Sequence, residues 1–84
     1  MPDIYFKAIE KWGAEAQVKM MIEECGKLIT ALMHYDRGRN KPIDVCGEIA
    51  DVEIMVNQMK VLFGPKCEDI KKYKLERLKE RIER

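Results

Sequence analysis

The sequence is short of aromatics, which make up 7% of its residues, and it has one histidine and three cysteines with no C-x-x-C pair. An odd set of thiols (Cys25, Cys46, Cys67) argues against a disulfide framework and against a structural zinc site. They read as small half-buried thiols in a reducing cytoplasm. No apolar run approaches the roughly 18 residues that a bilayer crossing requires, so no membrane association is expected. An excess of one charge is missing too. Sixteen Lys and Arg against fifteen Asp and Glu leave +1, which excludes the electrostatic footprint of a dedicated nucleic-acid binder. The opening stretch MPDIYFKAIEKWG mixes acids and bases and does not read as a signal peptide, so the expected location is cytoplasmic. The lone His34 reads as a solvent-edge residue near a helix end. Nowhere do β-branched residues alternate between turn signals, so no strand is expected.

What is present is helical. The 84 residues, 46% hydrophobic and 37% charged, suit one domain spanning 1–84. A chain this small hides only about 60% of its unfolded surface, so a second copy is the expected remedy. Six methionines against two phenylalanines point to adaptable packing. Gly13, the stretch Arg37-Gly38-Arg39-Asn40-Lys41-Pro42 and Gly64-Pro65 cut the chain into four helical pieces, an all-α antiparallel bundle. The first runs from about Asp3, as N-cap, to Trp12. The second, about 14–36, carries an apolar face of Val18, Met21, Ile22, Cys25, Ile29, Leu32 and Met33, interrupted by Gly26 at a cost of about 1 kcal/mol relative to Ala. The third, about 43–63, shows a heptad seam of Val45, Ile49, Val52, Val56, Met59 and Phe63. A short connection makes these two helices antiparallel neighbours. The last piece, about 66–84, holds eight basic and five acidic residues beside a stripe of Leu75, Leu78 and Ile82, and is expected to lie on the core or on a second subunit.

The informative residues are acids beside the seam. Asp44, Glu48 and Asp51 recur at steps of four and three, and Met55 and Gln58 continue the line, one residue ahead of the apolar stripe. Glu48 and Asp51 point the same way and can share a hard cation, and an antiparallel partner helix can bring Glu24 into the same pocket. Carboxylates converging from facing helices are how bundles build metal sites, and an all-oxygen set favours Mg²⁺ or Mn²⁺ over zinc. Such an ion would hold a polyphosphate and assist attack of water on phosphorus. On spacing alone a solvated acidic face is the plainer reading, since E-x-x-D is common within helices.

The segments KWGAEAQVKMMIEECGKLITAL (11–32) and GEIADVEIMVNQMKVLFG (47–64) resemble the small MazG-like nucleotide pyrophosphohydrolases of the all-α NTP pyrophosphatase group. The resemblance covers most of the chain and is more specific in the second segment. It implies E-x-x-E on one helix and E-x-x-D on the next, binding Mg²⁺ at a nucleoside triphosphate, with release of a nucleoside monophosphate and pyrophosphate by homo-dimers or homo-tetramers. Glu24 matches the first acid of E-x-x-E, and Glu48 and Asp51 match E-x-x-D, so these are the expected catalytic and metal-binding residues. Where the pattern has its second glutamate, this chain has Lys27. That lysine either occupies the metal's place and leaves an inactive nucleotide-binding or interaction homologue, or swings outward to touch phosphate. Glu23 points about 100° away and is a poor replacement, whereas Asp44 lies on the correct stripe. Trp12, Gln17 and Gln58 are the further candidates for substrate contact, with core packing as the plainer reading of Trp12. Lys60, Arg37 and Arg39 could meet phosphates or simply be solvated charges.

Overall fold

Where the chain turns, it does so at the punctuating residues. A computed structural model describes residues 3–84, which form α1 (Asp3–Trp12), α2 (Ala14–Asp36), α3 (Pro42–Phe63) and α4 (Lys66–Ile82), with no strand among them. Asp3 is the first helical residue of α1, so the position before it, where the cap would fall, lies outside the described residues. At the end of α2, the Gly38 and Arg39 N–H groups donate to the Tyr35 and His34 carbonyls at 3.0 and 2.8 Å. This closure needs a left-handed residue, and Gly38 supplies it with φ 72°. Entry into α3 is fixed by the Asp44 carboxylate, which accepts the Lys41 backbone N–H at 2.8 Å, with Pro42 opening the helix. At the exit from α3, Gly64 takes φ 88° and ψ −176°, a region essentially closed to other residues.

Helices α2 and α3 form the main antiparallel pair and α1 packs on both, with Asn57 Nδ2 donating to the Tyr5 hydroxyl at 3.4 Å. The seam between α2 and α3 differs from the one expected. Its buried residues are Gln17, Glu24 and Ala31 on α2 and Val45, Met55 and Gln58 on α3, with Glu48 half-buried. Of the expected α2 face, Val18, Met21 and Cys25 are half-buried, whereas Ile22, Ile29, Leu32 and Met33 are exposed. Of the expected α3 seam, Val45 is buried and Val52, Val56 and Met59 are half-buried, but Ile49 and Phe63 are exposed. The reason is that α3 is apolar on more than one face, so its periodicity could not say which face meets α2. The line through Glu48 and Asp51 lies nearer the interface than expected, and much of the more apolar surface looks outward.

Of the two placements expected for the last helix, the core of the same chain takes only its start. Helix α4 meets α3 alone, near its own start, where Lys60 Nζ pairs with Glu68 Oε1 at 2.6 Å, and every residue from Glu68 to Arg84 is exposed. The radius of gyration, 15.5 Å, therefore exceeds the roughly 12 Å of a compact chain of this length. No helix among the described residues is long and apolar enough to cross a membrane.

Two measurements test this. Gly64→Ala should lower unfolding stability by about 1–3 kcal/mol in urea titrations because its backbone is closed to alanine. Gly26→Ala should raise it by about 0.5–1 kcal/mol, since a Cβ there meets nothing within 4 Å and the backbone is helical. The Lys60 ammonium holds the Glu68 carboxyl below its ordinary value of 4.5. Its contribution to docking α4 is thus complete above that value and lost as pH falls through the lowered one. Amide exchange at residues 66–70 should accelerate relative to α3 at pH 3 compared with pH 6.

Candidate metal centre and adjoining hollows

The register of α2 against α3 is set by a buried amide pair, Gln17 Nε2 donating to Gln58 Oε1 at 2.6 Å. Seven residues further along α2 stands Glu24, and seven back along α3 stands Asp51, with Glu48 one turn beyond it. Antiparallel helices with this register bring the three together: one carboxylate oxygen from each of Glu24, Glu48 and Asp51 lies within 4.8 Å of the others. The expected convergence is met. Glu24 is 8% exposed, Glu48 half-buried and Asp51 open to solvent, so the cluster is closed at its floor and open at one side.

Burial sharpens the chemistry. Glu24 Oε2 and Glu48 Oε2 are buried and have no hydrogen-bond partner. Buried polar atoms are normally paired, and a desolvated carboxylate oxygen left alone is costly. A cation bound between these side chains would relieve such a cost, and the all-oxygen donor set would suit Mg²⁺ or Mn²⁺.

Lys27 does not sit among the three acids. Its Nζ bonds Glu24 Oε1 at 3.2 Å, with no ion pair to Glu48 or Asp51 among the described residues, and its side chain is 59% exposed. The hydrogen bond and the charge of Glu24 hold its pKa above the ordinary lysine value, so it is a cation throughout the neutral range. That contribution is present below the ordinary value and lost as pH rises through the raised one.

Two hollows lie along the same seam, one of them with Glu48 in its wall. The first, an open groove of about 720 Å³, is lined by residues that include Lys27, Thr30, His34, Asn40, Asp44 and Glu48. The second, a mostly apolar hollow of about 400 Å³, is lined by Trp12, Ala16, Gln17, Met20, Met55 and Gln58. The substrate-contact candidates Trp12, Gln17 and Gln58 thus meet in one place. The core reading of Trp12 is corrected, since it is 60% exposed at the lip of that hollow with Lys11 Nζ 5.4 Å from its ring centroid. Other candidates are placed elsewhere. Lys60 is engaged with Glu68, Asp44 caps α3, Glu23 lies on the groove wall outside the trio, and Arg37 and Arg39 are exposed in the α2–α3 connection. His34 is exposed in the last turn of α2, as expected. Cys25 and Cys67 are half-buried but Cys46 is exposed, and all three are free thiols. Gly26 meets no close neighbour in this chain. Asn40 was not singled out by the sequence. Its Nδ2 donates to the Ala31 carbonyl at 3.1 Å and its Oδ1 is buried without a partner, a role that depends on how the connection folds back.

No family model, curated protein or solved structure matches this chain.

The cluster makes a signed prediction. Glu48→Gln removes one of three crowded charges and places an amide donor beside the remaining carboxylates. The metal-free protein should therefore gain about 1 kcal/mol of unfolding stability. The same variant should lose most of the rise in melting temperature that millimolar Mg²⁺ or Mn²⁺ gives the unaltered chain. A rise that survives in Glu48→Gln would place the ion elsewhere.

Proposed function

We propose that this chain is a Mg²⁺-dependent nucleoside triphosphate pyrophosphohydrolase of the MazG-like kind, working as a homo-oligomer. The observation that carries the reading is the meeting of Glu24, Glu48 and Asp51, one oxygen from each within 4.8 Å of the others, with a buried, unpartnered oxygen on Glu24 and another on Glu48. The matching of these residues to E-x-x-E and E-x-x-D in the sequence resemblance adds to it.

The layout suits a nucleotide. The apolar hollow with its amide floor accepts a nucleobase against the Trp12 ring, with Gln17 and Gln58 at the base edge. The acidic layer lies seven residues away along each helix, about 10 Å at 1.5 Å per residue, a span suited to the distance between a base and its phosphates. Glu24, Glu48 and Asp51 would hold the metal, which would supply positive charge against that developing on the phosphoryl oxygens. The chain's own part is to hold and orient. Glu24 and Glu48 hold the buried part of the cluster, and Asp51 is its solvent-exposed member. Water adds at the α phosphorus as the bond from that phosphorus to the α–β bridging oxygen breaks. The pyrophosphate leaves through the open groove past Lys27.

Assembly with further copies of the chain, as dimer or tetramer, is supported by surface chemistry. Ile22, Ile29, Leu32, Met33, Ile49 and Phe63 are all exposed, an uncommonly large apolar display for a lone chain. A second reading, a nucleotide-binding or interaction homologue without catalysis, is favoured by the Lys27–Glu24 ion pair, which takes up one ligand oxygen.

Incubating the chain with each common ribo- and deoxyribonucleoside triphosphate and Mg²⁺ should release pyrophosphate and the monophosphate from at least one. Asp51→Asn should cut turnover by roughly 100-fold or more while leaving the helical content intact. Trp12→Ala should chiefly raise KM, by about tenfold for a lost stacking contact. Nucleotide binding with no turnover of any triphosphate would select the second reading.

A further inference from the structure

Glu24 divides its two oxygens between different tasks. Oε1 accepts the Lys27 ammonium at 3.2 Å, while Oε2 is buried and has no partner. With Oε1 engaged by Lys27, Glu24 as built offers one unengaged oxygen, Oε2, to an ion. Charge leads to the same place: three carboxylates and one ammonium leave a deficit that a single divalent ion cancels. A second ion would meet a lysine already close to the oxygen it needs. Lys27 is also well placed to do more than fill space. Its side chain is 59% exposed and lines the open groove together with Glu48, while the acids sharing that wall, Glu23 and Asp44, repel anions. Among the residues lining the groove, Lys27 is the one permanent cation.

We propose that the centre takes one divalent ion and that Lys27, tethered to Glu24, is its built-in second cation, meeting a phosphoryl oxygen from the groove side. This rests on the reading of Glu24, Glu48 and Asp51 as metal ligands, and it adds a role for Lys27 that is independent of turnover. The tether keeps the ammonium at the cluster's edge, close enough to weaken the metal electrostatically and near enough to the groove to strengthen an anion. These two effects have opposite signs, which a merely structural lysine would not produce.

The test uses the full chain, Lys27→Gln and Lys27→Arg, with folding checked by circular dichroism. Free Mn²⁺ is followed by electron paramagnetic resonance, and the Mn²⁺–pyrophosphate complex is then titrated by calorimetry. The unaltered chain should take up one Mn²⁺. Lys27→Gln should bind Mn²⁺ on the order of tenfold more tightly and the pyrophosphate complex on the order of tenfold more weakly. Lys27→Arg should restore both values toward those of the unaltered chain. Two Mn²⁺ per chain, no Mn²⁺ uptake, or a Lys27→Gln variant in which the two affinities move together or not at all would overturn the proposal. The outcomes separate from those of the hydrolase reading. Turnover of a triphosphate with no change in Lys27→Gln sinks the role of the lysine alone. Opposite shifts in a chain that turns over no triphosphate sink the hydrolase alone.

Discussion

Crowding of like charge inside a helical seam is the constraint on which this molecule depends. Glu24, Glu48 and Asp51 present oxygens within 4.8 Å of one another, and two of those side chains each keep a buried oxygen without a partner. An ordinary bundle would place Leu or Ala at such positions, because desolvated charge is stabilising only when it is well paired. Lys27 compensates from outside, through a single bond to Glu24, and leaves the interior oxygens untouched. The arrangement is therefore poor for a folded chain on its own and good for a chain that captures a hard cation. Stability given up at a site and recovered on ligand binding is the usual signature of function in a small fold.

The cost spreads into the packing. Among the described residues the buried set is Ala31, Val45 and Met55 together with Gln17, Glu24 and Gln58, so half of the best-protected positions carry polar groups. Meanwhile Ile22, Ile29, Leu32 and Met33 line the outside of α2, and α4 stands away from the seam with Leu75, Leu78 and Ile82 exposed. These facts have one cause. The inner seam is given over to polar work, so the apolar residues that would ordinarily form a core are displaced to outer faces. The self-association proposed above returns that surface to an interior.

The sequence made helices legible to within a residue or two, because their ends depend on local chemistry: Gly38 in a left-handed closure, Pro42 and Asp44 at an N-terminus, Gly64 and Pro65 at a break. The acidic trio was legible as well, since positions 24, 48 and 51 need only helical periodicity and an antiparallel neighbour to converge. What sequence could not decide was which face of α2 and α3 turns inward. Apolar residues surround α3, so a heptad through Ile49, Val56 and Phe63 looked as good as the line through Glu48, Met55 and Gln58 that the fold uses. Trp12 was misjudged for a related reason: its size suggests a core, but a residue at the last turn of α1 is placed by the junction at Gly13, which holds it at the lip of a hollow. Asn40 was invisible, as its bond to the Ala31 carbonyl exists only once the connection folds back.

The buried amide pair then has a purpose beyond occupying space. Gln17 and Gln58 bond at 2.6 Å one heptad from the acids on both helices. An apolar seam of adaptable methionines would tolerate sliding, and nothing in its energetics would forbid a slipped register. A buried polar pair does forbid it, because any other register strands two amides without partners, which is the best-attested use of such a pair in helical interfaces. Slipping α3 along α2 by one turn would also carry Asp51 and Glu48 about 5.4 Å past Glu24 and dissolve the cluster. The same bond that floors the apolar hollow therefore holds the acidic layer in line, so the two halves of the site are positioned by a single interaction. A variant that loosens the amide pair would be felt first in the alignment of Glu24, Glu48 and Asp51 and only afterwards in the fold.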